Sequence, residues 1–216
     1  MSKLAPKLVA GISWLAVLAC LAGGALWSLS PLGIVLTQLR LQGGSDVFWQ
    51  LFPAAPLALA VGLAGLLGVG ALGRGWPGRL GAGVTLLGLA MVAAGNVGQF
   101  WLGLDDTYTV LAPAYYTFRA GLVVLAVGSG LAGLAGILER SLPAWGALPF
   151  VAAALCGLVA FVWELGTLGS GLWAAFGAGW IWLGFSVVLS GLAGLIRDRK
   201  PGFPGRRPRE AASPEA

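Results

Sequence analysis

"LGAGVTLLGLAMVAAGNVGQFWLGL", residues 80–104, contains no charged side chain and is followed at once by Asp105 and Asp106. A bilayer core needs about 20 consecutive apolar residues per helix, so this stretch reads as a membrane span with two carboxylates at its exit. In hydrocarbon a lone segment must satisfy its own backbone, which leaves the α-helix as its conformation. Asn96 and Gln99 lie three apart near the end of the run and share a helix face. A face carrying two amides does not point into lipid tails, so the same residues that mark the exit also raise the question of a site.

Outward from this stretch, five further runs meet or approach the spanning length: residues 8–30, 54–73, 120–138, 147–163 and 172–196. The 216 residues are 58% hydrophobic and 10% charged. That composition is the one expected of a polytopic membrane protein. The expected fold is all-α: a single domain over 1–196 with six transmembrane helices arranged as three hairpins, followed by a basic, disordered tail at 197–216.

Lys and Arg resist translocation, so their distribution over short connections sets orientation. With the N-terminus inside, eleven of the 13 basic residues fall in the cytoplasm, and Arg40 and Arg119 outside. Asp46, Asp105, Asp106 and Glu164 then lie outside. Both termini are expected in the cytoplasm of a bacterial inner membrane. The net charge of +5 follows from this topology and an Arg-rich tail, so no nucleic-acid partner is implied. Lys3, Lys7 and an apolar stretch ending at Cys20 also resemble a lipoprotein signal, but the run continues through "LAGGALW" without a polar break. Cys20 and Cys156 fall mid-span and read as small apolar fillers.

The segment "GLAGL" recurs at residues 62–66, 130–134 and 191–195, and the turns "RGWPGR" (74–79) and "ERSLPAW" (139–145) echo each other. Three tandem hairpins would produce such a pattern. Trp27, Trp101 and Trp163, at the outer ends of alternate helices, read as interfacial anchors. Small residues at four-residue spacing, Ala60–Ala64–Gly68 and Gly128–Ala132–Gly136, are expected at the closest helix contacts. Every proline is placed in a terminus, a connection or a first turn, with Pro113 and Pro149 among those marking helix boundaries. The connections 31–53, 105–119 and 166–171 are read as external, with a short interfacial helix in "PLGIVLTQLRLQ".

The chain has no histidine. This removes imidazole as ligand or base and with it heme ligation by His, zinc-protease sites and Ser–His dyads. No CxxC and no GxxxxGK[ST] occurs, so neither thiol exchange nor a phosphate loop is indicated. No enzymatic activity, no catalytic or metal-binding residue and no cofactor is expected. No ionisable residue sits mid-span where proton and ion pathways place theirs. The intramembrane hydroxyls of Ser13, Thr85, Ser129, Ser186 and Ser190 read as bonded to their own helix carbonyls. What remains is an outer polar cluster: Asn96, Gln99, Asp105, Asp106, Arg119 and Glu164, with Tyr108, Tyr115 and Tyr116 nearby. Arg119 and Glu164 are expected to pair across the fourth and fifth helices.

With "LWSLSPLG" closing the first helix and "GLAGLIRDR" closing the last, the chain resembles the small HdeD-type bacterial membrane proteins. The resemblance implies six helices built from two-helix repeats and an association with acid stress without an assigned reaction. The functional expectation is a packing, scaffold or stress-associated membrane protein. The alternatives are a binder or permease for a small solute or lipid headgroup using the outer cluster, and an accessory subunit of a membrane complex. The expected partners are the lipid bilayer, other copies of the chain or other membrane proteins.

Overall fold

The computed structural model of the chain describes residues 4–31, 45–73, 75–102, 108–163 and 166–198. They form α1 (Leu4–Leu29), α2 (Ser45–Leu51), α3 (Ala54–Gly68), α4 (Trp76–Val97), a π-helical turn (Gly98–Leu102), α5 (Tyr108–Leu138), α6 (Ala144–Val162) and α7 (Gly166–Asp198), with no strand among the described residues. Five helical segments are long and apolar enough to cross a membrane, and Trp14–Leu29 of α1 is a shorter apolar one. Large apolar side chains also cover the outside, among them Leu15, Leu18, Leu57, Val61, Leu87 and Leu155. A water-soluble monomer does not carry apolar surface on this scale. The chain is a multi-pass, all-helical membrane protein.

Each long helix packs on the next in chain order, and α7 closes back on α1, so the six long helices form a ring. The tightest seam is α4 against α5, and glycine builds it. Gly81, Gly88 and Gly95 recur every seven residues on α4, a spacing that returns to nearly the same face after two turns. A Cβ on Gly81 would stand 2.5 Å from the Ala132 backbone nitrogen, and one on Gly95 would stand 2.5 Å from that of Phe118. Gly121 and Gly128 of α5 answer from the other side, against Met91 and Thr85. Backbones this close gain dispersion over the whole seam, which is what holds helices together where the hydrophobic effect is absent. Across the ring, Gly24 of α1 and Gly177 of α7 make a second such crossing, each against the other's carbonyl oxygen.

Only part of the four-residue stripes lies at these contacts. Gly128 and Ala132 face α4, but Gly136 meets the Leu142 side chain of the following turn. The second stripe is turned outward: Ala64 and Gly68 are exposed, and nothing lies within 4 Å of a Cβ on Gly68. Four-residue spacing identifies small faces without identifying which of them has a partner.

Several boundaries differ from the sequence expectation for local reasons. α3 stops at Gly68 because Gly70 takes the left-handed conformation, at positive φ. The Ala71 N–H then reaches back to the Leu66 carbonyl at 2.9 Å, the bond that closes a helix followed by a left-handed residue. α5 ends in the same kind of turn, with Arg140 at positive φ in the position usually given to glycine. There the Ser141 N–H donates to the Gly136 carbonyl at 3.1 Å. α5 starts at Tyr108, so Tyr115, Tyr116 and Arg119 are helical and Pro113 lies inside the helix. Pro149 likewise lies inside α6. Both prolines sit in the second turn, where each leaves one carbonyl without its helical donor but does not stop the chain. Residues 166–171, expected as a loop, belong to α7. Most of "PLGIVLTQLRLQ" and the tail beyond residue 198 lie outside the described residues.

The two turns that echo each other in sequence touch. The Gly75 N–H, at the N-cap of α4, donates to Glu139 Oε2 at 2.9 Å. This puts a carboxylate at the positive end of the α4 dipole and ties the α3–α4 connection to the end of α5.

Candidate functional site

At the end of the ring that carries α2, the interior is filled by aromatic rings. Trp27 of α1 has 0% exposure, and its ring stacks on Trp173 of α7 at 5.5 Å between centroids. Phe52 at 5.0 Å, Phe176 at 5.1 Å and Phe161 at 6.4 Å enclose it further. The indole N–H of Trp173 donates to Ser30 Oγ at 2.9 Å, and Ser30 in turn donates to the Trp27 carbonyl at 2.7 Å. Ser28 Oγ donates to the Ala174 carbonyl at 2.9 Å. These bonds fix the start of α7 on the end of α1 and hold Trp173 in place.

The sequence makes Trp27 an interfacial anchor, and the structure overturns that. Trp101 and Trp163 are each 58% exposed on the outside of the bundle, as an anchor requires. The three are indistinguishable in sequence because each closes an apolar run. The difference is azimuthal, since Trp27 shares the inward stripe of α1 with Ala16, Cys20 and Gly23.

On the plug sits a cavity of about 250 Å³. Phe118, Phe161 and Trp173 line it from α5, α6 and α7; Trp49 of α2 and Phe100 form another wall, stacked within 6° of parallel at 5.3 Å. Leu122 and Ala160 complete the apolar lining, and Gln99, Tyr115 and Arg119 supply its polar groups. Six of the ten lining residues are thus aromatic, which makes this a site for a flat or greasy body rather than a hydrated ion.

The π-helical turn helps to create the cavity wall. An extra residue per turn at Gly98–Leu102 shifts the azimuth of the side chains beyond it, and Gln99 and Phe100 both line the cavity from this turn. The Gln99 side-chain N–H donates to the Gly95 carbonyl at 3.1 Å. Gly98 lies close against Ala114, so the π turn still packs on α5. Arg119 donates from Nη1 to the Tyr115 hydroxyl at 3.1 Å, and its guanidinium carbon stands 5.8 Å from the Tyr115 ring centroid.

Of the sequence-expected cluster, the structure therefore brings Gln99 and Arg119 together on one cavity. Asn96 is not in its lining. It is fully buried one turn earlier on α4, and neither end of its amide has a hydrogen-bond partner among the described residues. Asp105, Asp106 and Glu164 lie outside the described residues, and so does the expected Arg119–Glu164 pair. Tyr116 is exposed on the outer face. Sequence reading misses Trp49, Phe100, Phe118, Phe161 and Trp173, because an aromatic residue in an apolar run carries no mark of which way it faces.

The intramembrane hydroxyls divide. Thr85, Ser186 and Ser190 donate to their own helix carbonyls at 2.7, 2.8 and 2.7 Å. Ser129 differs: its hydroxyl is buried without a partner among the described residues, as are the indole N–H groups of Trp27 and Trp180. Ser13 lies among residues whose side chains are outside the described set. Cys20 packs into the α1–α3 crossing against Gly62, as a small filler does.

Comparison of the chain with models of protein families, with curated proteins and with solved structures gives no match.

Proposed function

We propose that the chain is a non-catalytic binding protein of a bacterial inner membrane, which holds a small amphipathic molecule where the helices meet the headgroups. The observation that carries this reading is the cavity of about 250 Å³, with aromatic walls and with Gln99, Tyr115 and Arg119 at its polar side. Its position at the helix ends suits a molecule with one foot in lipid. Trp101, Tyr116 and Trp163 are exposed near the same end, the placement of an interfacial belt.

The test is to purify the full chain in mild detergent, extract it with solvent and identify bound amphiphiles by mass spectrometry. Ala160→Phe places a ring in the cavity without touching its polar groups. Wild type should carry a stoichiometric amphiphile that Ala160→Phe lacks, with both folded. Equal lipid content in the two proteins overturns the reading.

The cavity end faces the periplasm in this proposal, with six spans and both termini in the cytoplasm. Support comes from the eleven of 13 basic residues that this orientation keeps inside, as the positive-inside bias requires. A phosphatase that is active only outside should be active when fused after Asp106 and silent after Arg79; activity at Arg79 reverses the orientation.

A second reading has an observation of its own. The outward Ala64 and Gly68 on α3 give a small, shallow face, suited to close packing with another membrane helix. This fits the scaffold or accessory-subunit role, and the likeness to HdeD-type proteins is in keeping with it.

A further inference from the structure

We infer that the occupant of the aromatic cavity is an amphiphile with a neutral, flat, carbonyl-bearing ring and an apolar tail, the chemistry of an isoprenoid quinone. The inference rests on the proposed binding function and narrows it to one ligand class.

Size comes first. Pockets that enclose a whole drug-sized ligand run to about 300–1,000 Å³, and this one holds about 250 Å³. It takes a compact head, and the rest of the molecule must lie in the bilayer. A tail that prefers lipid is therefore part of the ligand.

Charge comes next. An aromatic box alone would suit a cationic head, but the described lining already holds a cation of its own, the Arg119 guanidinium, against the Tyr115 ring. A phosphate head meets the opposite difficulty. Entering the cavity strips its oxygens of water, a cost that hydrogen bonds must offset. Beside six rings, Leu122 and Ala160, the described lining residues offer the polar groups of Gln99, Tyr115 and Arg119 in return. Arg119 is already engaged with the Tyr115 hydroxyl at 3.1 Å. A neutral head with one or two carbonyl acceptors needs only what the lining has.

Shape then selects a ring over a chain. The Trp49–Phe100 stack stands nearly perpendicular to Trp173, at 83° between the Trp49 and Trp173 planes, so the cavity is bounded by an aromatic corner. A flat ring gains offset stacking on one wall and edge contact on the other, worth about 0.5–1.5 kcal/mol per aromatic pair beyond area burial. An alkyl chain gains only the area. Trp173 is held by its bond to Ser30, so this wall is set before any ligand arrives.

The experiment uses the full chain in nanodiscs of phosphatidylcholine, titrated with a decyl-substituted benzoquinone while tryptophan fluorescence is read. A quinone quenches an indole that it stacks on, and Trp49 and Trp173 both line the cavity. Quenching should saturate in wild type. Ala160→Phe should leave only a linear collisional component, and Gln99→Leu should weaken binding by about tenfold, the value of one hydrogen bond. Circular dichroism and melting temperature report whether each variant is folded. Wild-type quenching that is linear, with no plateau, overturns the quinone assignment whatever the variants do.

A second titration with phosphatidylglycerol brominated on its chains separates the two levels of failure. Saturable quenching by this lipid, lost in Ala160→Phe, with none by the quinone, overturns the ligand class and leaves the binding function standing. If neither probe saturates, both fall.

Discussion

Replacing Gly88 with leucine should strongly destabilise the α4–α5 seam, and with it the bundle. A Cβ at this position would stand 2.5 Å from Leu125 Cα, and its other near neighbours are the backbone nitrogen and Cβ of the same residue. No flexible side-chain end is available to move aside, so the helices themselves must separate. Separation is felt along the seam, because Gly81, Gly95, Gly121 and Gly128 all depend on the same close approach. Overpacking in a core costs typically about 1–3 kcal/mol when side chains can adjust. Here the obstacle is backbone, so the expected loss is about 3 kcal/mol or more, a fall of roughly 6–12 °C for a chain of this size. Gly83→Leu is the control on the same helix, since nothing lies within 4 Å of its Cβ position. That change adds a better helix former and should be neutral or stabilising by up to about 1 kcal/mol. Equal melting temperatures for the two variants would show that α4 and α5 do not meet through this face.

The seam is present in the sequence in a form that four-residue spacing does not reveal. Gly81, Gly88 and Gly95 repeat at seven, while the stripes at 60–64–68 and 128–132–136 repeat at four. Both patterns gather small residues on one side of a helix. A partner helix shows in the sequence only when its own residues are aligned with the first set in antiparallel order, Gly81 with Ala132 and Gly95 with Phe118. The apolar runs and the identity of the helices were legible because hydrocarbon leaves a single segment no other backbone solution. Their ends were less so. Pro113 reads as a helix boundary, but the helix already holds its first turn before it and absorbs the missing donor.

The site was legible only through its polar members. Gln99 and Arg119 stand out from an apolar background, and the structure places both on one cavity. Asn96 stands out equally and lies apart from it, its amide buried without a partner among the described residues. The aromatic walls could not be found by composition, since inward and lipid-facing rings are equally compatible with a membrane sequence. Gly95, Gly98 and the π turn carry the information that decides the azimuth of Gln99 and Phe100, and a one-residue offset in a helix is a tertiary effect.

Trp27 gives the second large effect, and it separates an anchor from a plug. An anchor at the headgroup level can be truncated at little cost. Trp101→Ala removes an exposed ring and one bond from its N–H to the Gln50 carbonyl at 3.1 Å. It should lower stability by about 1 kcal/mol or less. Trp27→Ala empties the centre of the ring beneath Trp173, where Phe52, Phe161 and Phe176 also lean on it. Within a bilayer the transfer part of the loss is small, and the cavity part remains. At about 24 cal/mol per Å³ and a volume change of roughly 140 Å³, the cost is about 3 kcal/mol. Trp27→Phe tests the cause. The Trp27 N–H has no hydrogen-bond partner among the described residues, so phenylalanine forfeits volume but no bond seen there. Stability should then fall by about a quarter as much as with alanine, for a volume change of roughly 40 Å³. Thermal unfolding of the three variants should therefore rank Trp27→Ala lowest, well below both Trp27→Phe and Trp101→Ala. If Trp101→Ala proves as damaging as Trp27→Ala, the plug is not what holds this end together. The same change reaches the cavity, because Trp173 walls it on one side and leans on Trp27 on the other. With Trp27 gone, Trp173 has room to tilt, and a ligand that depends on its ring face should bind more weakly even in molecules that remain folded.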